Sequence, residues 1–152
     1  MQIKFLFPHL TPANHRLTSP VDLSYNCVAW AMERCDTWLQ PHLPYLWPGD
    51  YLPTTDEPSV QDIAGVFIAS GFEVCGSPLQ EDGYDRVALY AIRDCFTHVC
   101  RQIDDGWWAS KIGGLQDIEH VTLGVLEGEA YGSVSLILRR SKLWATKTTP
   151  ET

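Results

Sequence analysis

Cys27 and His98 are the two side chains of this sequence whose types and placement together fit acyl-transfer chemistry. Cys27 stands in the run SYNCVAWAMER, Ser24 to Arg34, directly before apolar residues at helical spacing, so it falls in the first turn of an expected helix. The thiolate, not the thiol, attacks a carbonyl carbon, and the free amides and dipole at a helix N-terminus favour the thiolate. The competing reading is a small apolar residue closing a core helix, because cysteine is among the most buried residue types. What separates the two is a base. A cysteine nucleophile needs one within hydrogen-bond reach and a polar group to orient it, both from elsewhere in the chain.

The stretch THVCRQIDDGWWAS supplies that histidine. On a strand of period two, His98, Cys100 and Gln102 share one face, and Val99, Arg101 and Ile103 share the other. The pair Asp105-Gly106 is a strong hairpin signal. Ser110, twelve residues after His98, is then expected near it on the neighbouring strand. The backbone amide of Cys27 is suited to one half of an oxyanion hole, and Asn26 or Tyr25 to a side-chain donor. Trp107 and Trp108 alternate across their strand, so one belongs to the core and the other lines a cleft. Trp108 is carried as the substrate contact.

Several elements must position these groups. A helix is expected over 26–37, capped by Ser24 or Asn26, and a second over 59–70 with Val60, Ile63, Ala64 and Phe67 on one face and Gly71 as terminator. Residues 7–20 and 40–58 are proline-punctuated and aperiodic, and are read as a surface loop and a long lid-like loop. FEVC, VALYAI, THVCRQI and WWASKI are strand candidates, LQDIEHVTLGVLEG is read as a short helix or turn, and YGSVSLILRR as a final strand. Helices first and antiparallel strands after give an α+β arrangement. Residues 1–144 are expected to form a single domain, and 145–152 a disordered tail.

Composition narrows the partners. At 152 residues, with 45% apolar and 20% charged residues, the chain has enough apolar content for one buried core. A formal charge of -8 argues against nucleic acid and anionic lipid, whose phosphates reward Lys and Arg. No apolar run approaches the roughly 20 residues of a membrane span. Five cysteines at irregular spacing argue for reduced thiols rather than a disulfide framework. With no secretory signal at the start, the expected compartment is the cytoplasm, with signal-independent export as an effector left open. Cys95, His98 and Cys100 in CFTHVC lack a paired C-x-x-C and a fourth ligand, so they read as strand packing rather than a zinc site. No metal and no cofactor is expected.

A cysteine opening the first helix in YNCVAWA, a later HV on a strand and a hairpin to WASK resemble the papain-like thiol hydrolases, in particular the NlpC/P60 and CHAP branch. YNCxAWA and HxxxQ…WxSKxG also resemble an uncharacterised bacterial domain family of about this length. The resemblance implies a papain-like α+β fold, with N-terminal helices packed on a small antiparallel β-sheet. It implies Cys27 as nucleophile, His98 as base and Ser110 in the place of the orienting residue. That place usually holds His, Asn, Asp or Glu. Asp117 is therefore a second catalytic candidate, and His120, also in DIEH, an alternative orienter or a substrate contact. The function expected is a cysteine-dependent acyl hydrolase or transferase, a peptidase, amidase or deamidase acting on a peptide or protein. The alternative is a non-catalytic acidic protein-binding module of the immunity or adaptor type.

Overall fold

Alternation governs the structure. The computed structural model describes residues 7–18, 58–112 and 117–143, and these hold seven strands and one α-helix. In chain order they are β1 (His15–Leu17), α1 (Val60–Ala69), β2 (Glu73–Cys75), β3 (Tyr84–Ile92), β4 (Cys95–Gln102), β5 (Trp108–Lys111), β6 (Asp117–His120), a 3-10 turn (Leu123–Leu126) and β7 (Ser133–Ser141). The strands form one sheet in the order β1-β6-β5-β4-β3-β7-β2, every neighbouring pair antiparallel.

The central strands are apolar on both faces, so the sheet is buried on both. Val87, Leu89, Val99 and Leu138 point to one side and pack with Val60, Ile63, Ala64 and Phe67 of α1 and with Phe72. Ala88, Tyr90, Cys100, Trp108 and Ile118 point to the other, where Phe7, Leu10, Val125 and Leu126 cover them. Each fully buried Val, Leu, Ile or Phe side chain among them contributes about 1.5–3 kcal/mol. Burial of both faces puts this sheet at the centre of the described residues.

The expected papain-like arrangement, N-terminal helices packed on a small sheet, is therefore corrected. Among the described residues the architecture is a seven-stranded antiparallel sheet carrying a single α-helix. Two segments account for much of the difference. DIEH is a strand instead of a helix or turn, because it pairs with β5 on one side and β1 on the other. The segment from Phe7 is no simple surface loop: Phe7 and Leu10 are core residues, and 15–17 form an edge strand. The helix expected over 26–37 and most of the loop over 40–58 lie outside the described residues, as does the tail.

Local chemistry explains the elements that did form as expected. Ser59 caps α1, its hydroxyl accepting from the Asp62 amide at 3.0 Å while the Asp62 carboxylate accepts from the Ser59 amide at 3.1 Å. Gly71, at φ 99°, ends it. The hairpin between β4 and β5 closes with Gly106 at φ 86° and the Ile103 amide donating to the Trp107 carbonyl at 2.8 Å. Arg93 and Asp94 join β3 to β4 in a two-residue turn with both φ values positive, 50° and 67°. Such a turn follows the strand twist but usually takes Asn-Gly. Here the Asp94 carbonyl accepts from the Val60 amide at 2.8 Å, tying the turn to the start of α1. No described helix is long and apolar enough to cross a membrane.

Candidate functional site

His98, Ser110 and His120 form one buried line of polar atoms across three strands, on the sheet face opposite α1. The register produces it. On β6 the residue opposite Ser110 is Ile118, so His120 is displaced by two. On β4 the pairing of Gln102 with Trp108 and Arg101 with Ala109 continues to Cys100 opposite Ser110, so His98 is displaced by two as well. Diagonal neighbours at this offset lie within reach of an aromatic ring. His98 Nε2 is 3.0 Å from Ser110 Oγ, Ser110 Oγ is 2.8 Å from His120 Nε2, and His120 Nδ1 is 2.9 Å from the Thr122 carbonyl oxygen.

All three side chains are fully buried. The His98 ring stacks on Tyr131 with centroids 4.3 Å apart and planes within 4°, and Tyr90 tilts against it at 5.5 Å. Thr97 and Tyr90 hold this wall: the Thr97 hydroxyl donates to the Tyr131 carbonyl and the Tyr90 hydroxyl to the Leu123 carbonyl at 2.7 Å. Burial pushes the pKa of His98 well below the usual imidazole range, with nearby His120 adding to the effect. Burial likewise lowers His120 to about 4, opposed by its bond to Thr122 and helped by His15. Both rings are neutral near pH 7. His98 Nδ1 is buried and has no hydrogen-bond partner among the described residues.

The expected neighbourhood of His98 and Ser110 is thus present. Asp117 is not part of it. It pairs in register with Lys111, and alternation puts both on the face away from Ser110 and His120. Trp108 lies on the histidine face but is 2% exposed and packed into the core, so it lines no cleft there. Its neighbour Trp107 is the more exposed ring, under the Arg16 guanidinium at 4.4 Å. Cys27, Asn26 and Tyr25 lie outside the described residues. Cys95 is exposed and Cys100 buried, and no group of three or more His, Cys, Asp or Glu among the described residues could hold a metal ion.

Tyr131 and the Thr122 carbonyl escaped sequence reasoning. Neither carries a local signal, but the alternation of Ile118 and His120 in DIEH marks an inward strand face, and read that way it brings His120 in.

These features define a class: an antiparallel sheet protein, buried on both faces, with an imidazole-hydroxyl-imidazole line in its core. The chain belongs to the family described as a domain of unknown function, DUF7689, whose model matches residues 16–139. No curated protein and no solved structure matches it.

Proposed function

We propose that this protein is a cysteine-dependent acyl hydrolase or transferase in which Cys27 is the nucleophile and His98 its base. The observation that carries the reading is the bare Nδ1 of His98. Leaving a buried acceptor without a donor costs about 1–3 kcal/mol, so this nitrogen calls for a donor or a use. A thiol is a donor of the right kind. In the reaction the Cys27 proton passes to Nδ1 as sulfur bonds to the acyl carbon. The imidazolium then gives that proton to the departing amine. Water, deprotonated by the same nitrogen, opens the thioester and frees the thiol; an acceptor amine in place of water makes the reaction a transfer. A peptide or protein side-chain amide is the substrate class. The thiols of Cys75 and Cys95 are free, which suits a reducing compartment such as the cytoplasm.

The alkylation rate of each cysteine against pH, read by peptide mass spectrometry in the native protein and in His98→Gln, tests this. Exposed Cys95 and buried Cys100 serve as internal references for an accessible and a protected thiol. Alkylation of Cys27 near pH 7 faster than that of exposed Cys95, and slowed in His98→Gln, supports the pair. A slow Cys27, indifferent to His98, overturns it.

A second reading, a non-catalytic binding module, is favoured by a polar hollow of about 220 Å³ lined by Glu81, Asp82, Asp85, Asp104 and Lys142 among others. It suits a basic partner. On this reading Cys27→Ala leaves partner binding unchanged.

A further inference from the structure

We infer that His120 is a positioning residue: anchored on the Thr122 carbonyl, it orders the Ser110 hydroxyl and so fixes the proton of His98 on Nε2, leaving Nδ1 as the basic nitrogen. Its catalytic meaning rests on the function proposed above. The arrangement of protons does not.

Each proton along the line has only one place to sit. A carbonyl oxygen only accepts, so the 2.9 Å contact with Thr122 requires a proton on His120 Nδ1. A neutral imidazole carries one N–H, so His120 Nε2 is then a lone pair. The depressed pKa of this ring keeps it neutral near pH 7. The 2.8 Å contact between Nε2 and Ser110 is consequently made by the Ser110 O–H donating to nitrogen. A hydroxyl has a single proton, and it is now spent. The 3.0 Å contact on the other side can only be His98 Nε2–H donating to Ser110 Oγ. His98 is neutral too, so its Nδ1 has no proton.

The direction of the whole line is thus set at the Thr122 end, three side chains away from the nitrogen it prepares. Without His120 the Ser110 proton is free to turn toward His98 Nε2, which lets the His98 proton move to Nδ1. A ring protonated there cannot accept from a thiol. Ser110, which carries no charge to hold an imidazolium, works here as a relay of orientation between two rings.

Nuclear magnetic resonance of the full chain with 15N-labelled histidine, read through long-range proton-nitrogen correlations at pH 7.5, tests this. In the wild type, His98 is expected with Nε2 protonated and Nδ1 bare, and His120 with the opposite pattern. A His98 protonated at Nδ1 overturns the inference without any variant. In His120→Leu, which removes the acceptor, His98 is expected as a mixture of both forms, with Cys27 alkylation falling two- to tenfold. His120→Gln, which returns an acceptor oxygen near the same place, is expected to restore the single form. A single Nε2–H form retained in His120→Leu overturns the role of His120. If that variant does not fold, Ser110→Ala breaks the same line and is expected to give the same mixture; a single Nε2–H form there overturns the inference. The expected tautomers together with a slow Cys27 in the wild type support the positioning line and overturn the thiol chemistry, so the two failures are told apart.

Discussion

Lowering the pH from 7.5 to 5 should destabilise this protein through its two buried imidazoles before its carboxylates respond. His120 has an ordinary pKa of 6.5 and a folded value of about 4. Below 6.5 the unfolded chain takes up a proton that the folded chain refuses until about pH 4. Stability is therefore complete above the unfolded value and is lost as the pH falls through that window. At pH 5 the imbalance at His120 alone is worth about 2 kcal/mol, rising to about 3 kcal/mol below pH 4. His98, pushed in the same direction by burial, adds to the loss. Glu81, paired with Arg139 and Arg86, is held below its ordinary 4.5 and so contributes its own loss only at lower pH. The interval between 6.5 and 5 isolates the imidazoles. Urea titrations at pH 7.5, 6.5, 5.5 and 5 should show the midpoint falling by roughly 1 M from His120 alone, taking a slope of about 2 kcal/mol per molar. His120→Gln should lose correspondingly less over the same interval. Equal slopes in the two proteins would refute the reasoning, since they would mean that His120 titrates as if in water.

Three further outcomes follow from the geometry. Ser110→Ala strands one nitrogen on each imidazole, and at about 1–3 kcal/mol per stranded group should cost roughly 2–6 kcal/mol in chemical denaturation. Gly132→Ala should destabilise strongly, because an added Cβ would stand 2.2 Å from the Ala91 carbonyl oxygen at φ +73°. Gly83→Ala, at φ +85° with nothing within 4 Å, should cost only the backbone strain of about 1 kcal/mol. Thermal melts of the pair separate contact from conformation. Ser59→Ala removes one half of the capping box of α1 and should cost about 1 kcal/mol, read as a small drop in melting temperature with the His98 tautomer unchanged.

The parts of this protein legible in its sequence are those decided within a few residues. Ser59, Asp62 and Gly71 delimit α1 because a helix end needs its amides and carbonyls satisfied locally, and the side chains that do so sit three or fewer positions away. The hairpin at Asp105-Gly106 follows from a glycine that tolerates positive φ. Alternation along β4 and the length of that hairpin together bring Ser110 to His98. Tertiary structure decided the rest. The alternation in DIEH is too short to insist on a strand; it is one because β5 and β1 pair with it on either side. Phe7 and Leu10 became core because the second face of the sheet needed a cover. His120 entered the polar line through two successive strand registers, and Asp117, three residues before it, was turned to the opposite face by the same registers. Pairing between strands is a contact between distant parts of the chain. Its register places every side chain on one face or the other, and no short window of sequence carries that choice.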